Sequence, residues 1–296
     1  MTRVHSQQRP IPTWLAIIKL LRWDKPEGRL ILMIPALWAV FLATQGKPSW
    51  VLVTVIIVGS LATSAAGCVV NDLWDRNIDP QVKRTQSRPL ANRTITVRVG
   101  VGVAGVAFAC AFGLSRFLNP LSFGLCVAAV PVIILYPLAK RVFPVPQIVL
   151  AIAWGFSVLI SWSAAVGSLP PATGWLWLAT VLWTLGFDTI YAMPDRPDDQ
   201  RLGIHSSALF FGRYAETAIG LFLGGTVVCL GILGYILNLY IGYWLSLGLS
   251  SYWWYRQITR LRRTNLVPSA YAQMFRQNVW IGMVLLLGMI TGTVLR

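Results

Sequence analysis

Residues 71–79 read NDLWDRNID and residues 188–199 read DTIYAMPDRPDD, and together they hold seven of the chain's ten acidic residues. In the first stretch Asn71, Asp75 and Asp79 recur at intervals of four, and in the second Tyr191, Asp195 and Asp199 do the same. On a helix that spacing puts each trio along one face. Asp72 and Asp198 fall off those stripes. Neighbouring carboxylates repel unless a cation lies between them, and an acidic side chain at a bilayer centre costs roughly 2.5–3.5 kcal/mol on insertion scales. Something positive is therefore expected between the two clusters. Magnesium suits such a place, because it takes hard oxygen ligands, often one or two carboxylates, and completes its shell with water and substrate phosphate oxygens.

Basic residues stand beside the acids: Arg22, Lys25 and Arg29 in LLRWDKPEGR, Lys83, Arg84 and Arg88 in PQVKRTQSRP, then Arg196 and Arg201. Arg grips phosphate through two donors at once and Lys acts as a compact point charge, so the group reads as a diphosphate cradle. A diphosphate chelated by magnesium and held by cations is a stabilised leaving group. If the carbon it leaves is allylic, a carbocation results, and apolar walls must keep water from it. Some of the fourteen Trp and nine Tyr could help through their π faces, although most are expected to be interface and packing residues. The basic run YRQITRLRRT at 255–264 has no acid cluster beside it and is read as a topology and headgroup element.

The elements that carry these groups follow from hydropathy. The chain has 296 residues, 56% hydrophobic and 12% charged, with a mean hydropathy of +0.63. Ordinary soluble domains are roughly 25% charged, so these values indicate an integral membrane protein. A net charge of +15 then implies a membrane surface or a phosphorylated substrate as partner, not nucleic acid. Nine apolar windows are long enough to span: 27–45, 50–71, 96–115, 120–139, 145–167, 173–193, 216–236, 238–255 and 276–295. Their connections alternate between short, nearly uncharged turns and long segments rich in Arg and Lys. On that count 22 of the 25 basic residues share a side with the N-terminus, leaving Lys47, Arg116 and Arg296 opposite. The N-terminus is thus expected in the cytoplasm and the C-terminus across the membrane. Both acid clusters end outward-to-inward spans and would emerge together on the cytoplasmic face. The first residues lack the apolar core of a signal peptide, so the early spans are expected to remain in the mature protein. One membrane domain is expected over 1–296, with 1–26 as a cytoplasmic segment. Cys68, Cys110, Cys126 and Cys229 sit in apolar runs without metal-ligand spacing and read as packing residues.

With these residues in place, the chain resembles the UbiA superfamily of intramembrane aromatic prenyltransferases. Its motif NDxxDxxxD is similar to NDLWDRNID at 71–79, and its YxxxDxxxD is similar to YAMPDRPDD at 191–199. RWDKPEGRLILMIPALWA, DPQVKRTQSRPL, YPLAKRVFPVPQ, GFDTIYAM and GIHSSALFFG look like the 4-hydroxybenzoate polyprenyltransferase branch, and several look closest to its cyanobacterial type, whose product feeds plastoquinone. The resemblance implies nine transmembrane helices around a central cavity, capped by cytoplasmic loops and open laterally for a prenyl tail. It implies that Asn71, Asp75, Asp79, Asp195 and Asp199 bind magnesium diphosphate, with Asp75, Asp79, Asp195 and Asp199 on the metal. It further implies a substrate-binding set of Arg22, Lys25, Asp72, Lys83, Arg84, Arg88, Tyr136, Arg141, Tyr191, Asp198 and Arg201, with Arg141 placed to meet the aromatic carboxylate. The partners implied are a polyprenyl diphosphate such as the solanesyl donor, 4-hydroxybenzoate and the bilayer of a plasma or thylakoid membrane, with no protein partner. Pro194 and Pro197 depart from the usual second motif and weaken its helical spacing. His205 stands where Lys is frequent. Other acceptors share both motifs: homogentisate, a naphthoate, haem or a chlorophyllide. An ion-coupled transporter would place its acids nearer mid-bilayer, and a CDP-alcohol phosphotransferase would gather them in one Gly-containing motif.

Overall fold

A computed structural model describes residues 12–262 and 266–294. Within them the chain is helical throughout, without a strand: α1 (Thr13–Leu20), α2 (Glu27–Ala43), α3 (Trp50–Asp75), α4 (Val97–Ser115), α5 (Pro120–Val142), α6 (Gln147–Val166), α7 (Pro171–Ala192), α8 (Arg196–Leu202), α9 (Ser207–Phe211), α10 (Ala215–Ile236), α11 (Ile241–Leu261) and α12 (Pro268–Val294). Local chemistry sets several of the ends. Ser49, Thr96 and Asn119 accept from the backbone N–H three residues on and so open α3, α4 and α5. Pro120 and Pro171 occupy first-turn positions, where no N–H is needed.

Nine helices of 17 residues or more, α2–α7 and α10–α12, overlie the nine apolar windows. Among the described residues, seven segments are long and apolar enough to cross a membrane. The two that fall outside that set are α2, only 17 residues long, and α11, which mixes aromatic side chains with Arg256 and Arg260. The short α1 lay outside the windows. Its buried Ala16 and Leu20 pack with Val69 and Val70 of α3, which brings the following Arg22 to the end of that helix.

Neighbouring helices close a ring: α2 touches α3 and α12, α5 touches α6, α6 touches α7, and α10 joins α7 to α11. Between α2, α7 and α12 the core is tight. Trp38 and Trp183 stack at 5.0 Å, and the indole N–H groups of Trp183 and Trp254 both donate to Asn278 Oδ1 at 2.9 Å. Gly282 permits that approach, since a Cβ there would stand 2.9 Å from Trp183 and 3.0 Å from Ile34. Outward-facing positions stay apolar, as at Val106, Leu221 and Leu245. In lipid such faces need no protein cover.

Candidate active site

Helix α3 carries Asn71, Asp72 and Asp75 on its last turns, then ends at Asp75. Asp79 precedes Pro80, a position disfavoured for helix, and opens a tight 3₁₀ turn instead. The expected helical stripe of Asn71, Asp75 and Asp79 therefore breaks before its third member. The residue placed at the centre is Asp72, which the spacing had left aside. It is buried, accepts from Arg22 Nη2 at 2.6 Å and from Arg88 Nη1 at 3.1 Å, and shares Arg88 with Asp79 at 2.8 Å. Arg22 makes its bond from a left-handed backbone (φ 58°), a conformation costly for a side chain with a Cβ. Asn71 is half-buried beside this group. Burial alone would lower the Arg88 guanidinium, but Asp72 and Asp79 outweigh it and hold Arg88 above its ordinary value.

Asp75 turns the other way and pairs with Lys140 Nζ in the last turn of α5. Arg141 stays exposed; its Nη2 donates to Trp74 O at 2.6 Å and lies 3.9 Å from Asp75 Oδ1. Lys140 was not singled out from the sequence. Its only signal in the sequence was its place one helical turn after Tyr136, beside Arg141.

The second cluster is interrupted where its prolines lie. α7 stops at Ala192, Met193–Asp195 forms a 3₁₀ turn, and α8 restarts at Arg196. Tyr191, Asp195 and Asp199 thus occupy three consecutive elements, not one helical face. Arg84 reaches them from the segment after α3: Nε donates to Asp195 Oδ2 at 2.9 Å, Nη2 to the same oxygen at 2.5 Å, and Nη1 to the Tyr191 hydroxyl at 2.7 Å. Burial pulls the Arg84 guanidinium down, yet Tyr191 and Asp195 raise it well above the ordinary value. The Lys83 backbone N–H donates to Asp198 Oδ2 at 3.2 Å while its side chain is exposed, and Arg201 joins Asp198 Oδ1 (3.1 Å) to Gln81 O (2.6 Å). The two motifs, about 115 residues apart in sequence, meet at one end of the bundle.

Beneath them opens a cavity of about 1170 Å³. Arg22, Lys25, Arg84 and Arg88 line its mouth with Tyr136, Asp188 and Tyr191, and deeper down come Val55, Gly59, Phe112, Leu114 and Ile133. Wall residues of α3 run from Val55 to Cys68, ~20 Å at 1.5 Å per residue. Asp188, one turn before Tyr191, and Arg29, in the first turn of α2, belong to this wall; the sequence counts Asp188 in the second acid cluster without a role of its own and Arg29 in the diphosphate cradle. Arg141, Lys83 and Arg201 stand outside the lining, as do Asn71, Asp72, Asp75, Asp79, Asp195, Asp198 and Asp199, so Asp72, Asp79 and Asp195 reach the cavity through the arginines they hold.

The donor set fits a hard cation. Asp72 Oδ2 and Asp75 Oδ1 are buried oxygens without a hydrogen-bond partner among the described residues. Among the described residues no three acidic, His or Cys side chains gather into a ready cage; Asp75, Asp79 and Asp195 each pair with a basic side chain instead. That pattern suits a cation bound through one or two carboxylates with phosphate oxygens supplying the rest.

Comparison with known proteins agrees with this geometry. The UbiA prenyltransferase family model matches residues 32–279. The 4-hydroxybenzoate solanesyltransferase of Synechocystis sp. is 63% identical over 281 residues, 95% of this chain and 96% of the relative. A 4-hydroxybenzoate octaprenyltransferase of Coxiella burnetii is 39% identical over 96% of this chain and 97% of its own. In fold, the chain is similar to the apo structure of a UbiA homolog from Aeropyrum pernix K1, with a TM-score of 0.78, 21% identity and coverage of 88% and 97%. It is also similar to a UbiA homolog from Archaeoglobus fulgidus bound to GPP and Mg2+, with a TM-score of 0.70, 17% identity and coverage of 91% and 99%. Two motif clusters at the mouth of an apolar cavity, in an integral membrane chain matched along most of its length, leave one assignment: the protein belongs to the UbiA prenyltransferase family.

Proposed function

We propose that the protein transfers a polyprenyl group from an allylic polyprenyl diphosphate to the ring carbon ortho to the hydroxyl of 4-hydroxybenzoate and releases diphosphate. The observation that carries this reading is that the segment following the first acid motif is tied to the second, through Arg84 and Asp195, over a long apolar cavity. The named activities of the Synechocystis and Coxiella relatives support the acceptor, and the first of them supports a solanesyl donor. Magnesium, when bound, supplies charge neutralisation to the leaving diphosphate. Asp75, Asp79, Asp195 and Asp199, with Asn71, would hold it. Arg22, Lys25, Lys83, Arg84, Arg88 and Arg201 bind and orient the diphosphate, with Asp72 and Asp198 positioning those cations. Arg84 also lies 4.5 Å from the Tyr191 ring centre and fixes that ring at the mouth. Tyr136 presents a π face where a cation would develop, the Tyr191 ring being covered by Arg84 and Phe275, and the apolar wall below excludes water. The phenol's own electron donation makes the ortho carbon nucleophilic, so no covalent enzyme intermediate is needed.

The same reading extends to topology. All nine long helices cross the bilayer as one domain over 1–296, the N-terminus is cytoplasmic, and the site faces the cytoplasm from the plasma or thylakoid membrane. The positive-inside distribution of Arg and Lys supports it.

The test is to incubate membranes containing the protein with labelled 4-hydroxybenzoate and geranyl diphosphate, with and without magnesium. A lipophilic labelled product that requires magnesium is expected. No product with magnesium present would sink the acceptor assignment and turn the search to homogentisate, a naphthoate, haem or a chlorophyllide.

A further inference from the structure

We propose that Arg29 is the residue that receives the carboxylate of the aromatic acceptor and thereby orients the ring in the cavity. This rests on the acceptor reading above and names the group that recognises it.

Arg29 is 2% exposed, and its Nε, Nη1 and Nη2 are all buried without a hydrogen-bond partner among the described residues. Its guanidinium carbon lies 4.3 Å from the centre of the Trp23 ring. Stacking covers one face of the guanidinium and leaves the donors along its edge available. A buried, unpaired guanidinium is costly, and it is stabilised by an anion that accepts two parallel hydrogen bonds. The residue belongs to the cavity wall, and the adjoining Gly28 has open space where a Cβ would stand.

Three other arginines that line the cavity are engaged, Arg22 and Arg88 with Asp72 and Arg84 with Asp195, while Arg276 is exposed where Arg29 is buried. Arg141, which the family resemblance assigns to the acceptor carboxylate, donates to Trp74 O and stands outside the cavity lining. Asp24 and Glu27 share its wall with Arg22 and Lys25, so charges of both signs surround Arg29, and a carboxylate is the group whose two oxygens match one unpaired guanidinium fork. A planar ring held by a carboxylate in that fork gains direction as well as affinity.

The experiment uses the full-length protein purified in detergent, with Arg29→Gln, Arg29→Lys and Arg141→Gln compared against wild type. Hydrogen bonds to charged groups contribute roughly 1.5–3 kcal/mol, so Arg29→Gln is expected to raise the KM for 4-hydroxybenzoate about 10- to 100-fold and leave the KM for geranyl diphosphate unchanged. Arg29→Lys should fall between, since it keeps the charge and loses the fork. Wild type should discriminate against methyl 4-hydroxybenzoate, and Arg29→Gln should lose most of that discrimination. Equilibrium dialysis of labelled 4-hydroxybenzoate, with no donor present, should weaken in parallel.

An unchanged acceptor KM in Arg29→Gln, a rise in the donor KM instead, or an acceptor effect found only in Arg141→Gln would overturn the assignment. Wild-type turnover reports separately on the function. An enzyme that prenylates another carboxylated ring still supports Arg29 if that ring's KM rises in the variant, whereas one that prenylates only rings without a carboxylate removes both ideas.

Discussion

Arg84 donates to Asp195 Oδ2 from Nε at 2.9 Å and from Nη2 at 2.5 Å, so the segment that follows α3 is tied to the break that follows α7. The same guanidinium holds the Tyr191 hydroxyl at 2.7 Å. One side chain therefore ties the segment just after the first motif to the second motif, and it lines the cavity. Arg84→Ala should lower kcat/KM for geranyl diphosphate by about tenfold, the effect of removing charge-assisted hydrogen bonds at the low end of roughly 1.5–3 kcal/mol for a partly exposed arginine. Arg84→Lys should recover only part of it, because an ammonium cannot span Asp195 and Tyr191 together. Steady-state kinetics on the three proteins checks both statements.

Asp75 keeps one buried oxygen without a hydrogen-bond partner, and Asp195 carries the pairing across the mouth. Asp75→Asn and Asp195→Asn keep size while removing charge, and each should cut turnover at limiting magnesium by at least about 30-fold. A magnesium titration of initial rates is the measurement. Either variant turning over at the wild-type rate at limiting magnesium would mean that the two motifs do not share a metal.

Gly59 lies in the deep wall of the cavity with nothing within 4 Å of where its Cβ would be. Gly59→Phe should therefore fold and obstruct the lower cavity. Turnover with a solanesyl donor should drop about tenfold or more while geranyl diphosphate is used nearly as before, because misplacing the reacting atoms by about 1 Å can cost 10²-fold. A comparison of the two donors on one protein preparation reads this directly. Equal losses with both donors would mean that the long tail takes another route.

Asn278 Oδ1 accepts from two buried indoles, Trp183 and Trp254, both at 2.9 Å. Asn278→Leu keeps the volume and orphans both donors. Each buried unsatisfied group costs roughly 1–3 kcal/mol, so for two of them a loss of about 2–6 kcal/mol is expected. Thermal unfolding in detergent should move to lower temperature, and an unchanged midpoint would remove that network from the account of the core.

Much of this protein was legible in its residues because hydropathy and charge act locally. Each apolar window became a long helix, and the run of carboxylates at 71–79 fell at the end of α3 because a greasy segment stops where charge begins. What spacing could not reveal was which partner each charge would find. Asp72, set aside as off the helical stripe, became the shared acceptor of Arg22 and Arg88, since Pro80 ended the helix before Asp79 and one arginine then bridged residues seven apart. The second stripe likewise broke at its prolines, and Asp195 is matched by Arg84 from 111 residues away. Lys140, Asp188 and Arg29 were visible as residue types, but only the packing of α2, α3, α5 and α7 around one cavity decided which of them face it. Composition determined that the chain is helical, bound for a membrane and equipped with two acid motifs. Tertiary packing decided which charges neutralise one another and which, like the buried guanidinium of Arg29, are left to meet a ligand, because those pairings depend on distances across helices that no sequence interval encodes.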